Sequence, residues 1–269
     1  NDVALKLIDT FGEKCKPEHV DGNGNTALIW ACCNKMNDVA LKIIDTFGED
    51  CKPDHFNKFG RKALNWTCEN NMNDVALKLI DTFGELCKPD HFNNNGDSAL
   101  ILACCRDMND VALKLIDTFG EKCKPDQITK NGDTALILTC SNKMNDIALK
   151  LIDTFGEKCK PEQVNMYNNT ALILACREDM NDVALKLIDT FGEKCKPENF
   201  DDNGDTSLIW GCNNKMNDVC LKLIDTFGEK CKPDQVNKHD NNALILACWA
   251  SMNDVALKLI DTFGEKCKP

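Results

Sequence analysis

Cysteine is the residue most able to do chemistry in this chain, with 18 of 269 positions. Such a count is compatible with a disulfide framework, metal sites or reactive thiolates, and placement decides among them. Cys15, Cys51, Cys87, Cys123, Cys159, Cys195, Cys231 and Cys267 stand 36 residues apart. Cys32, Cys68, Cys104, Cys140, Cys176, Cys212 and Cys248 form a second column with the same spacing. On helices stacked ~8–10 Å apart, equivalent cysteines exceed the roughly 7 Å between Cα atoms that a disulfide allows. A bridge between the two columns stays geometrically open and needs an oxidising compartment. There is no Cys-x-x-Cys, and His19, His55, His91 and His239 are dispersed, so no zinc site is expected. The 43 Asp and Glu recur in every period, whereas a catalytic constellation is unique and convergent. No catalytic residue, metal or cofactor is expected.

The elements that position these columns are themselves repeated. Asn1-Asp-Val-Ala-Leu-Lys-Leu-Ile-Asp-Thr-Phe-Gly12 returns, nearly unchanged, at Asn37, Asn73, Asn109, Asn145, Asn181, Asn217 and Asn253. Repetition at a fixed period decides architecture before length does. In the segment after Met36, Val39, Ala40, Ile43, Ile44 and Phe47 lie at helical spacing. Asn37 is expected as N-cap, Met36 and Leu41 as a hydrophobic staple, and Gly48 as the residue after the helix. Asp38 and Lys42 are four apart and are expected to pair. A shorter helix follows each turn, with Thr26, Ser98, Thr134, Thr170, Thr206 and Asn242 as N-caps and Lys62 as the exception. The turn position before each cap pair is Gly24, Gly60, Gly96, Gly132 and Gly204, but Asn168 and Asp240 elsewhere. These are the residues that tolerate a left-handed backbone, so positive φ is expected there.

The stretch Asn131-Gly-Asp-Thr-Ala-Leu-Ile-Leu-Thr-Cys140 resembles the turn and first helix of the ankyrin repeat. The resemblance covers nearly the whole chain. It implies an all-α, ankyrin-like helix-turn-helix repeat solenoid with tight turns between repeats. Residues 1–17 would be the second helix of an incomplete repeat. Residues 18–269 would be seven repeats of 36 residues in one continuous solenoid: 18–53, 54–89, 90–125, 126–161, 162–197, 198–233 and 234–269. The chain departs from the family in its period, which is 36 rather than 33, and in Ala and Ile where the family has Pro and His. The helix-joining Gly-His is replaced by pairs such as Lys35-Met36, and the extra residues fall around the Cys-Lys-Pro segment.

A net charge of −11 disfavours phosphate, so neither nucleic acid nor anionic membrane is an expected partner. No run is apolar and long enough to span a bilayer, no signal peptide is visible, and the chain starts inside a repeat. Reduced cysteines imply an intracellular, cytoplasmic setting.

The repeats differ mainly at the turn tip and the end of the first helix. The third turn position includes Phe59, Tyr167 and His239, the fifth includes Arg61, and the position after the helix cysteine includes Glu69, Arg177 and Trp249. These correspond to the surface through which ankyrin repeats usually bind partners, and Trp, Tyr and Arg dominate interface energetics. Drift at exposed positions would also vary them. Trp30, Trp66 and Trp210, which alternate with Leu, are expected to pack rather than to contact a partner. Two functions follow. One is a protein-binding scaffold with Phe59, Arg61, Glu69, Tyr167, Arg177, His239 and Trp249 as contacts. The other is a structural protein that stacks copies of itself head to tail or forms part of a longer rod.

Overall fold

A computed structural model describes residues 1–267; the last two positions of the 234–269 repeat lie outside it. Among the described residues all regular structure is helical, apart from the isolated bridges Phe92–Ser98 and Phe200–Thr206. The chain divides into two compact units, Asn1–Thr129 and Lys130–Pro269.

The first unit carries the long helices α1 (Asp2–Phe11), α3 (Asn37–Phe47), α5 (Asn73–Phe83) and α7 (Asn109–Phe119). Between them lie the short helices α2 (Ala27–Cys33), α4 (Ala63–Glu69) and α6 (Ala99–Cys105). The second unit carries the long helices α9 (Asn145–Phe155), α11 (Asn181–Phe191), α13 (Asn217–Phe227) and α15 (Asn253–Phe263). Its short helices are α8 (Ala135–Ser141), α10 (Ala171–Arg177), α12 (Ser207–Asn213) and α14 (Ala243–Trp249). In each unit, short helices stack on short helices and long on long, and each short helix packs on the long one after it. Two layers thus enclose the apolar stripe read from the sequence. In α3, Val39, Ala40, Ile43 and Ile44 are all buried. The methionine column, with Met72, Met108, Met144, Met180, Met216 and Met252, is buried as well.

The short helices are capped as their sequence requires. The Thr26 hydroxyl accepts the Ile29 N–H at 3.2 Å, and Asn242 accepts the Ile245 N–H at 2.9 Å. The long helices are not capped by side chains. Asn37 lies inside α3 as its first residue and Met36 takes the cap position. The Asp38–Lys42 expectation also gives way. Lys42 reaches back to Asp9 of the preceding repeat at 2.7 Å, and Lys78 reaches Asp45 at 2.8 Å. The second unit repeats this from Lys186 to Asp153, Lys222 to Asp189 and Lys258 to Asp225.

A short 3₁₀ turn follows each long helix, Gly48–Cys51 in the first full repeat. Gly48 enters it at φ 51° and ψ −131°, a conformation that only glycine adopts readily. The cysteine that ends the turn folds back on the helix: Cys87 Sγ donates to Leu79 O at 3.3 Å, and Cys195 Sγ to Leu187 O at 3.3 Å. In these two repeats the Cys-Lys-Pro cysteine is a buried hydrogen-bond donor. The turn tip has positive φ in every repeat, including Asn168 at 59° and Asp240 at 57°.

One packing exchange is specific to the sixth repeat. Cys220 replaces the alanine of the other long helices, and Gly211 replaces the Ala or Thr of the other short helices. A Cβ on Gly211 would stand 2.8 Å from Cys220 Sγ, which also lies 3.8 Å from Cys212 Sγ. Each departure makes room for the other. Gly211→Ala is expected to destabilise the protein by about 1–3 kcal/mol through overpacking. Adding Cys220→Ala should recover most of that loss. Denaturant titration of the two single variants and the double variant checks this, and additive losses would contradict it.

Candidate functional site

The turn tips are built on a side-chain hydrogen-bond scheme that the sequence repeats. Asn57 Oδ1 accepts the N–H groups of Phe59 and Arg61, each at 3.0 Å, and so fixes both side chains at the tip. Asn165 does the same for Tyr167 and Asn169, and Asn237 for His239 and Asn241. Neighbouring tips are then tied by amides: Asn57 Nδ2 donates to Asn25 Oδ1 at 2.9 Å, and Asn165 Nδ2 to Asp133 Oδ1 at 2.8 Å.

In the first unit this arrangement leaves a groove of about 480 Å³ between the tips and the short helices. Trp30, Phe59, Arg61 and Trp66 line it, together with asparagines of three successive tips. Arg61 is held twice: its guanidinium lies 2.7 Å from Glu69 and 4.4 Å from the Trp66 ring centroid. Glu69 also lies 3.9 Å from Arg106. The indoles differ in their partners. Trp30 Nε1 donates to Asp21 Oδ2 at 2.7 Å, whereas Trp66 Nε1 is buried and has no partner. The reason is the residue at the turn start. Asp21 offers a second carboxylate oxygen, while Asn57 uses its Oδ1 for the turn and its Nδ2 for Asn25. Hydrogen bonds from Asn25, with Trp30 adding to them, hold the Asp21 carboxyl at about 2.

The second unit has a groove of about 380 Å³ lined by Tyr167, Arg177, Leu138, Leu174, Asn169 and the carboxylates of Asp133, Asp201 and Asp202. Arg177 Nε lies 3.0 Å from Glu178 Oε1. Burial raises the Asp133 carboxyl, against the hydrogen bond from Asn165.

The structure thus brings Phe59 and Arg61 together, with Glu69 bonded to Arg61, and brings Tyr167 together with Arg177. His239 and Trp249 stand outside both grooves, and Trp249, 73% exposed, is the most exposed large hydrophobic residue described in the second unit. The tryptophans read as packing are part of the groove walls: Trp30 is half exposed and Trp66 lines the same cavity. Sequence reasoning also missed a column of apolar residues after each Cys-Lys-Pro, five of them exposed. In the first unit Val20, Phe56 and Phe92 are exposed, and in the second Phe200 and Val236. In the first unit the column is ringed by histidines, with Phe56 and His91 stacked at 5.3 Å. His55 and His91 each hold the turn-tip carbonyl of the preceding repeat, at Gly24 and Gly60, at 2.8 Å. Apolar residues at a fixed period outside any helical pattern were the available signal.

Among the described residues, no group of three or more His, Cys, Asp or Glu could hold a metal ion, and no helix is long and apolar enough to cross a membrane.

Residues 110–197 match the family model for ankyrin repeats in three copies. No curated protein matches the chain. Among solved structures it is similar to the ankyrin repeat domain of Bcl-3, a member of the IkappaB family. The identity is 16%, covering 88% of this chain and 99% of that one, with a TM-score of 0.56. It is similar at 16% identity to the human ASB11 ankyrin repeat domain, covering 89% and 99%, with a TM-score of 0.56. The ankyrin repeat protein EF0377 is 18% identical, with 73% and 96% covered and a TM-score of 0.56. Ankyrin repeats are a non-catalytic fold that generally mediates protein–protein interaction. The paired helices, the positive-φ tips and these matches show that the chain has the ankyrin-repeat fold, with residues 110–197 matching the family model itself.

Proposed function

We propose that the protein is a binding scaffold whose seven repeats, residues 18–269, present turn tips and short-helix ends to a partner protein. The observation that supports this best is the groove of the first unit. Three aromatic side chains and an arginine line one cavity, and Glu69 and Trp66 hold the arginine in place before any partner arrives. Pre-organised Trp and Arg side chains are the types that dominate binding energy. With eighteen cysteines, most of them set in two repeated columns that do not favour pairing, the setting we propose is a reducing, cytoplasmic one. Phe59, Arg61, Glu69, Tyr167, Arg177, His239 and Trp249 remain the proposed contacts.

A displayed peptide library selected on the full chain tests the reading. Replacing Phe59, Tyr167 and Trp249 together by alanine should weaken the selected binders by about 100-fold or more, since each hot spot is worth ~2 kcal/mol. Far-UV circular dichroism should stay unchanged, because all three side chains are exposed. Undiminished binding would sink the proposal.

A second reading, association of copies of the chain, draws on the near-identity of the long helices from repeat to repeat, which suits a uniform rod. Light scattering over a concentration series under reducing conditions tests it. Steady growth in size favours self-assembly, and a constant monomer mass rejects it.

A further inference from the structure

The two grooves have opposite unmet hydrogen-bonding capacity. In the first unit the unpartnered buried atom is a donor, Trp66 Nε1. In the second it is an acceptor, Asn169 Oδ1, on a side chain that is only 5% exposed and lines the groove. A buried acceptor without a donor costs free energy, and a ligand that supplies the donor recovers it.

The amide ladder explains why this atom is left over. Elsewhere in the unit, the residue 32 positions further on is an asparagine that donates to the tip: Asn165 to Asp133 at 2.8 Å and Asn237 to Asp205 at 2.6 Å. The residue at that distance from Asn169 is Asp201, which accepts only. Its Oδ1 takes the N–H groups of Asn203 and Asp205, and its Oδ2 takes Trp210 Nε1 at 3.1 Å. One Asn-to-Asp exchange therefore removes a donor and adds a negative charge at the same point.

The rest of the groove has the same sense. Asp133, Asp201 and Asp202 line it against a single cation, Arg177, which Glu178 already pairs at 3.0 Å. Tyr167 stands beside them, 54% exposed, and offers a ring face to a cation. We propose, building on the scaffold reading, that this groove takes an arginine- or lysine-bearing segment of the partner protein. A side-chain N–H of that segment reaches Asn169 Oδ1, and its cationic head lies over Tyr167.

The probe is a short capped peptide with two arginines, titrated into the full chain and followed by NMR. A matched peptide with two glutamates is the control. The arginine peptide should shift the signals of Tyr167, Asn169 and Asp202. Its affinity should fall about tenfold in the Tyr167→Ala/Asp202→Asn double variant and stay unchanged in Leu86→Ala, an exposed residue that lines neither groove. Both changes of the double variant are on exposed side chains. Equal binding of the glutamate peptide, or no loss in the double variant, overturns the assignment. The displayed library separates this from failure of the scaffold reading. Tyr167-dependent binders without basic residues overturn the basic-segment assignment and leave the scaffold standing. A library with no binder dependent on either groove overturns both.

Discussion

Raising the pH from about 8 to about 10 is expected to unfold the protein through its buried thiols. Burial pushes Cys51, Cys68, Cys87 and Cys123 in the first unit, and Cys195 and Cys231 in the second, up to about 12 from an ordinary 9.0. Burial pushes Cys140 and Cys176 of the second unit further in the same direction. A raised value in the folded chain means that these thiols favour folding fully below pH 9. That contribution is lost as pH rises toward the folded value, because the unfolded chain sheds protons that the folded chain keeps. At pH 10 each thiol has lost about 1.4 kcal/mol. Four in each unit amount to ~6 kcal/mol, comparable to the 5–15 kcal/mol that holds a domain together. Denaturant midpoints at several pH values check this. Cys32 and Cys212 are raised as well, so the slope of stability with pH should report at least four protons released per unit on unfolding, and a slope near one would rule the mechanism out.

Lys62→Thr is expected to stabilise the protein by about 2–3 kcal/mol at neutral pH. Lys62 occupies the N-cap position of α4, where other repeats have Thr, Ser or Asn. It is 1% exposed, and its ammonium nitrogen has no partner. Asn65, itself unique at its repeat position, compensates in part by accepting the Lys62 N–H at 3.2 Å. Burial, with the nearby Lys88 adding to it, lowers Lys62 from 10.5 to about 8. Below pH 8 the folded chain must hold a buried charge. Between pH 8 and 10.5 the unfolded state binds more protons, so this penalty fades as pH rises. The advantage of the threonine variant should therefore be largest near pH 7 and shrink toward the ~1 kcal/mol of the cap alone near pH 10.5. The difference between variant and parent removes the thiols common to both, apart from Cys87, which the Lys62 charge lowers. No gain at pH 7, or a gain that does not change with pH, would contradict the account.

How far the sequence could be read depended on where the physics is local. The short-helix caps, the glycine after each long helix and the positive-φ tips are local preferences of single residues, and Thr26, Gly48 and Asn168 behave as their types require. The pairing of Lys42 with Asp9 is not local. Asp38 is nearer in sequence, yet stacking of the long helices sets Asp9 within reach, which a single period cannot reveal. Left-handed lysines were hidden for another reason. Lys35 at φ 57° and Lys52 at φ 55° adopt the backbone usually given to glycine, and their type carries no sign of it. At the candidate sites the varying tip residues were legible because each repeat serves as a reference for the next. Their grouping was not: which variable residues share a groove depends on which tips are neighbours and which indoles turn toward them.

The Asp–Lys ladder has a consequence for how such an array can change length. Within the twelve residues from Asn37 to Gly48, every repeat carries both the lysine that reaches back and the aspartate that the next repeat will reach. The bond is thus indifferent to which repeat comes next. Excising the 36 residues from Asn73 to Met108 would set Lys114 where Lys78 had been, facing Asp45. Unequal recombination between nearly identical gene segments could then add or remove whole repeats without breaking this surface. Only the tip residues, where the copies differ, would record the event.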